Sequence, residues 1–410
     1  MGRGAMTNMI RRPWLPVLGL ALLLVGCAGR PEGNLIEVHA LAPGTSKVDM
    51  LVATTRAAVA EPVGVMYGGD RAIGLNFADI TVSIPPDATR KVGEVQWPTS
   101  LPGDPNRDFV TTSAREMTLA QARSDFDKRV DSTPGRHVLI FVHGYNTRFE
   151  EAVYRFAQVT HDSSADVVPL LFTWPSRGKA LAYFYDRESA SYSRDALEAV
   201  LQAVDKDPHV AQVSILAHSL GNFVAVEALR QMVIRNHGMS PKIKNIMLAA
   251  PDIDVDVFRR QIAEIEAGGK HAPITLFVSQ DDRALNISKL VAGDEPRLGA
   301  VDPLAEPFKG ILERANVHVV DLTQVASDDA TNHGKYASGD VVHAIGLRLA
   351  TGQKLNDAKS SFGETLGAIA VNATNAVGNT TATVVSAPFQ ASESVKPTPG
   401  SLEDVKPLVQ

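Results

Sequence analysis

The chain has one cysteine in 410 residues, Cys27, so it forms neither an intramolecular disulfide nor a cysteine-based zinc site. No uninterrupted apolar run reaches the roughly 20 residues that a membrane-spanning helix needs, which argues against an integral membrane protein. Basic charge is in short supply too. Forty Lys and Arg stand against 46 Asp and Glu, a net charge of -6, and the basic residues are scattered. The electrostatic footprint of a nucleic-acid binder is therefore missing. There is no His-Glu-x-x-His and no phosphate-binding loop, so neither a metal nor a cofactor is expected. What is present, 44% hydrophobic and 21% charged residues, is the composition of a globular protein. At roughly 150 residues per domain the length suggests about two to three domains, one of them large.

Cys27 is explained by its position. Arg3, Arg11 and Arg12 precede an apolar stretch from Trp14 to Val25, the shape of an export signal with a basic start and a core too short to span a bilayer. The stretch ends Leu24-Val25-Gly26-Cys27 and resembles the bacterial lipobox, in which a small residue precedes a cysteine that is diacylated and becomes the new N-terminus. This implies a signal peptide over 1–26, lipidation at Cys27, and a lipoprotein held at a membrane surface of the cell envelope, inner or outer. Two or three acyl chains anchor stably because each buried methylene contributes about 0.8 kcal/mol. Residues 27–47, rich in Gly, Pro and polar side chains, read as a tether. At the other end, 351–410 is low in complexity and reads as a largely disordered tail. Phe362, Leu366, Ile369, Ala373, Val377 and Val384 fall there near helical spacing, interrupted by Gly363, Gly367 and Gly378.

Between these ends, 48–350 reads as the folded unit. Its first part, 48–135, is β-rich: 48–57, 79–85 and 93–98 have strand patterns bounded by Gly and Pro, and Thr118 with Gln121 forms a capping box opening a helix to about Val130. Pattern alone leaves open whether this part is a separate domain or the first strands of the main sheet. From 136 onward, apolar strands at 137–143, 166–174, 212–218, 245–252, 274–281 and 317–323 alternate with helices at about 148–162, 186–206, 219–236, 254–267 and 340–350. That alternation predicts an α/β fold with a mostly parallel, doubly wound sheet covered on both faces.

The chemistry concentrates at strand ends. Ala217-His218-Ser219-Leu220-Gly221 lies between a strand and a helix and matches the nucleophile elbow Gly-x-Ser-x-Gly with Ala in first place. The elbow needs small residues two before and two after the serine because strand and helix backbones come close there. His143-Gly144-Tyr145-Asn146 follows an earlier strand, where a glycine turn aims the Tyr145 N–H, beside the Leu220 N–H, at a developing oxyanion. Losing one such donor costs about 2.7–4 kcal/mol of transition-state stabilisation. His333 sits in the polar loop before the last helix, where a base belongs; His343 is the runner-up, and His218, next to the nucleophile, is expected to point away from it. A carboxylate must hold the imidazole in the right tautomer. Asp282 is the choice and Asp281 a close second, with Asp252 and Asp254 assigned to a helix-capping turn at the rim. Trp174, Tyr183, Phe184, Tyr185 and Tyr192 are candidates for an acyl pocket.

These segments together resemble bacterial α/β-hydrolases of unknown function that are often labelled esterase/lipase superfamily enzymes. The likeness rests on Ala53-Thr54-Thr55-Arg56, Phe141-Val142-His143-Gly144-Tyr145-Asn146, Phe172-Thr173-Trp174-Pro175-Ser176, Ala217-His218-Ser219-Leu220-Gly221-Asn222, Ala250-Pro251-Asp252-Ile253-Asp254 and Asp282-Arg283-Ala284-Leu285, and covers roughly 48–350. It implies an α/β-hydrolase fold, with the acid at Asp282 and the base at His333. The expected activity is that of a serine hydrolase, an esterase/lipase-like enzyme acting on a small-molecule or lipid ester through an acyl-enzyme. An amidase or peptidase, or a catalytically silent hydrolase-fold scaffold, is the alternative.

Overall fold

The computed structural model describes residues 32–40, 42–314 and 317–350. Cys27, the expected signal segment 1–26 and the tail 351–410 lie outside the described residues. Among the described residues no helix is long and apolar enough to cross a membrane.

Among the described residues nine strands form one sheet: β1 (Ser46–Ala58), β2 (Tyr67–Ile84), β3 (Val110–Met117), β4 (His137–Val142), β5 (Val168–Thr173), β6 (Gln212–His218), β7 (Ile243–Ala249), β8 (Ile274–Val278) and β9 (Val317–Asp321). Their order is β3-β2-β1-β5-β4-β6-β7-β8-β9. Pairing is antiparallel at β1/β2 and β2/β3 and parallel from β1/β5 to β8/β9. The helices are α1 (Leu119–Ser132), α2 (Phe149–Ser163), α3 (Tyr183–Lys206), α4 (Gly221–Asn236), α5 (Val255–Ala267), α6 (Arg283–Val291), α7 (Phe308–Arg314) and α8 (Gly339–Ala350).

The strands of the parallel part are apolar throughout because both faces are covered. In β4 every residue is buried. Val138, Ile140 and Val142 face a core shared with α1, α3, α4 and α5, while Leu139 and Phe141 face a second core built on α2 and α8. Phe141 stacks on Phe156 of α2 with centroids 5.2 Å apart. Each such buried side chain contributes roughly 1.5–3 kcal/mol over its exposed state. The order of connection reverses at the middle of the sheet: β4 leads to β5 on one side, and β6 leads to β7 on the other. Loops leaving the carboxyl ends of β4 and β6 thus diverge and open a crevice, the place where open α/β sheets bind ligands.

The β-rich first part is the edge of this same sheet, since β1 pairs with β5. Three expectations change. The strand expected at 93–98 is a loop that passes under α2, with Trp97 stacked on Tyr154 at 5.3 Å. The third strand is Val110–Met117 instead, an edge strand whose polar side chains give it no apolar alternation to read. The packed region also begins before 48. Leu35 is buried in the second core, its N–H donates to the Gly64 carbonyl, and Val38 N–H donates to Thr111 O, so the described part of 27–47 includes chain laid against the sheet. The capping box at Thr118 forms as expected. Helix α6, unexpected from the pattern, is short and follows Asp282 directly.

Candidate active site

The elbow after β6 is under backbone strain. Ser219 has φ 53°, a left-handed conformation that costs an L-residue roughly 1–2 kcal/mol and that persists where surrounding bonds over-determine it. Those bonds are present. Ser219 N–H donates to Ala249 O of β7 at 2.9 Å, and the Asn222 amide donates to both Ser219 O and Ala249 O at 2.9 Å. Small residues are needed here because of close approach: a Cβ on Gly221 would lie 2.2 Å from His143 O. Leu220 occupies the N-cap position of α4, so its N–H lacks an intrahelical acceptor and faces the crevice end of the helix.

The turn after β4 is fixed from behind by a histidine whose role the sequence reading missed. His143 Nδ1 donates to the Gly144 carbonyl at 2.8 Å, because its Nε2 already accepts from Trp174 N–H at 3.1 Å and lies 3.3 Å from Arg56 Nη2. Burial first, and the Arg56 charge second, push the His143 pKa well below its usual value, so the ring is neutral and this tautomer is held. In a trans peptide the N–H points opposite to the C=O; anchoring the Gly144 carbonyl on His143 therefore sends the Tyr145 N–H the other way. Arg56 is fully buried and donates to Gly68 O, Ser176 O and Thr147 O. Burial lowers its pKa to about 10, still well above neutral, so the guanidinium stays charged. In the sequence this pair shows only as two separate short segments, because His143 lies 87 residues beyond Arg56.

Gly144 sits against the elbow, where a Cβ would come within 2.7 Å of the Ser219 Cβ and 3.0 Å of His218 Nδ1. Gly144→Ala is accordingly expected to push the Tyr145 N–H off line and lower ester kcat by about 10²–10³ while the protein stays folded. Steady-state rates beside a thermal melt check this; an unchanged kcat would remove Tyr145 as a donor.

The acid and base candidates meet at the carboxyl end of the sheet. Asp282 Oδ2 lies 2.7 Å from His333 Nδ1, and the carboxyl is completely buried. Its other oxygen accepts from Leu285 N–H at 2.9 Å, so the same side chain caps α6. Burial opposes protonation of His333, but the Asp282 charge and hydrogen bond outweigh it, and the net pKa is raised above 6.5. Asp281, the second choice, takes another role: it accepts from Lys335 Nζ at 2.8 and 3.0 Å, from Asn332 Nδ2 at 2.8 Å and from Ser279 Oγ. It pins the loop that carries His333. Asp329 folds that loop on itself, accepting from the N–H groups of Thr331, His333 and Gly334.

The remaining candidates divide. His218 packs its ring 4.6 Å from His333 and 4.5 Å from Tyr336, and its Nε2 lies 3.2 Å from His333 O. Burial holds its pKa well below the usual value, so it is a neutral support under the base loop. His343 is exposed on α8 and lines, with Arg90, His161 and Asp162, a polar cavity of about 510 Å³ to which neither Ser219 nor Asp282 contributes. Asp254 caps α5, as expected. Asp252 is buried, bonded to Tyr183 Oη at 3.1 Å and Ser288 Oγ at 2.6 Å, and its own N–H donates to Ser219 O at 3.2 Å.

The aromatic group does not stay together. Trp174 is behind the site, stacked on His143 at 5.0 Å. Tyr183 meets the Tyr145 ring edge-on at 5.3 Å, and Phe184 is exposed. Tyr185 and Tyr192 turn to the sheet edge, where they donate to Gly69 O and Ala72 O of β2. Of the five, Tyr183 borders the crevice.

The chain is similar to several known proteins. A curated relative, the uncharacterized protein alr1448 of Nostoc sp. (strain PCC 7120 / SAG 25.82 / UTEX 2576), is 23% identical over 191 residues, 35% of this chain and 48% of the relative. The chain thus spans about half the length of that relative. Among solved structures, a lipase-esterase related protein from Clostridium acetobutylicum ATCC 824 is similar at 9% identity and TM-score 0.30, covering 54% of this chain and 96% of that one. A structure from an analysis of two fungal esterases from Rhizomucor miehei is similar at 10% identity and TM-score 0.31, with coverage of 86% and 94%. Residues 118–350, more than half of the chain, match one family throughout, and by that match the chain belongs to the alpha/beta hydrolases of unknown function (DUF900).

Proposed function

We propose that this hydrolase cleaves carboxylic esters with Ser219 as nucleophile, His333 as base and Asp282 as the carboxylate that orients it. The observation that carries the reading is the 2.7 Å contact between His333 Nδ1 and Asp282 Oδ2, made by a fully buried carboxyl in the loop region facing the Ser219 elbow. A hydrogen-bonded Nδ1 leaves Nε2 as the proton acceptor. His333 takes the Ser219 proton as Oγ attacks the ester carbonyl. The N–H groups of Tyr145 and Leu220 receive the negative charge that develops on the carbonyl oxygen. Collapse expels the alcohol with the proton from His333, leaving an acyl-enzyme, and water activated by the same imidazole releases the acid.

The test is labelling with a fluorophosphonate, followed by mapping of the modified peptide. Covalent phosphonylation at Ser219 is expected. A folded protein that stays unlabelled, or is labelled elsewhere, overturns the assignment and favours a silent scaffold. We also propose that the enzyme works at the surface of an envelope membrane through acylated Cys27, supported by the basic-apolar-Cys order at the N-terminus. Cys27→Ser should then move the protein from the membrane pellet to the soluble fraction; unchanged sedimentation would count against lipidation.

A further inference from the structure

Arg187 and Arg297 each carry a buried guanidinium nitrogen that has no hydrogen-bond partner among the described residues. Arg297, 3% exposed, stands 3.4 Å through Nε from Asp252 Oδ1, yet this Nε has no hydrogen-bond partner. Asp252 also accepts from Tyr183 Oη and Ser288 Oγ. Arg187 lies one helical turn after Tyr183 on α3, so the two share a face. Its guanidinium carbon lies over the Phe223 ring at 5.5 Å, and its buried Nη1 likewise has no partner. Neither arginine makes a side-chain hydrogen bond among the described residues.

The placement relates both groups to the nucleophile. Phe223 is in the first turn of α4, four residues after Ser219. Asp252, beside Arg297, donates its N–H to Ser219 O. Arg297 is held there by its own segment: Leu298 N–H donates to Ile253 O and Gly299 N–H to Pro251 O, each at 2.9 Å. Tyr183 links the two: its hydroxyl donates to Asp252 Oδ2 at 3.1 Å, the carboxylate beside Arg297, and Arg187 follows it by one turn on α3. Arg187 thus keeps a donor without an acceptor, and Arg297 faces the Asp252 carboxylate without a hydrogen bond through Nε. Buried donors require acceptors, and a guanidinium fork matches carboxylate and phosphate oxygens. Uncharged acyl chains offer nothing to such groups.

We propose that Arg187 and Arg297 form an anion-recognition pair beside Ser219, and that the preferred substrates are esters carrying a carboxylate or phosphate group. The inference rests on the serine-hydrolase reading and adds the substrate class to it. It is tested with the full protein on three esters: 4-nitrophenyl butyrate, mono-4-nitrophenyl glutarate with a carboxylate on the acyl side, and 1-butyrylglycerol 3-phosphate with a phosphate on the alcohol side. At least one charged ester should exceed the uncharged one tenfold or more in kcat/KM, and which of them does so identifies carboxylate or phosphate. That ratio should fall at least tenfold in Arg187→Met, a half-buried position where folding is retained, and fall less in Arg297→Lys. Equal turnover of charged and uncharged esters, or a preference that survives both substitutions, overturns the inference. Calorimetric titration with glutarate and with glycerol 3-phosphate separates it from the reading beneath it. If no ester is turned over, binding that is lost in Arg187→Met still supports the pair, and absence of binding overturns it.

Discussion

Ser219→Ala is expected to lower kcat for 4-nitrophenyl butyrate by about 10⁶, the scale on which a triad serine acts in other hydrolases. The fold should survive, because the bonds that hold the elbow run through backbone atoms and Asn222 rather than through Oγ. Ala keeps a Cβ at φ 53° and so keeps the strain. Ser219→Gly removes it. Relief of roughly 1–2 kcal/mol is partly offset by the roughly 0.5–1 kcal/mol that glycine loses in chain entropy, so the glycine variant should melt at or above the alanine one. Both should be inactive. A Ser219→Ala protein that keeps its ester turnover would end the assignment, and a glycine variant that melts well below the alanine variant would show that the elbow is not strained.

Asp282→Asn should reduce kcat by about 10⁴, because an amide at this position stabilises the wrong imidazole tautomer and no longer supports imidazolium. Its pH dependence has a definite sign. Only neutral His333 can accept the serine proton, so kcat/KM is lost as pH falls through the His333 pKa. Asp282 raises that pKa above 6.5 against burial, which lowers it. Removing the charge leaves burial dominant, and the acid limb of the residual activity should move to lower pH. Asp281→Asn is the control. Its partners are Lys335, Asn332 and Ser279, so it should lower the melting temperature through the loosened base loop and leave the acid limb in place. A severe loss of kcat in Asp281→Asn with little in Asp282→Asn would reverse the two roles.

Much of this site was legible because its pieces are local. The elbow needs a serine between small residues at a strand-to-helix junction, and Ala217, Ser219 and Gly221 satisfy that within five positions. The apolar strands from β4 to β8 announce themselves because both faces are covered. Edge strands are harder: β3 has one neighbour and polar side chains, and the first half of β2 is interrupted by Gly68, Gly69 and Gly74. Asp282 is preferred to Asp281 in the sequence and the resemblance supports that choice, though adjacent residues differ only in which way the turn after β8 directs them.

By itself, then, the sequence determined the sheet-and-helix alternation, the strand-to-helix turn at Ser219, the glycine turn after β4 and the region of the proposed acid and base, because each depends on residue size, periodicity or a short spacing. Tertiary structure alone decided that the first strands complete the main sheet, and it brought Asp282, the carboxylate already preferred, against His333. It also decided that Arg56 and Trp174 meet His143 at Nε2 and leave Nδ1 to the Gly144 carbonyl, and that Arg187 and Arg297 each keep a buried nitrogen without a hydrogen-bond partner among the described residues. These are relations between groups tens to hundreds of residues apart, and burial, which sets their charge states and the cost of leaving a donor unpaired, exists only once the chain is folded.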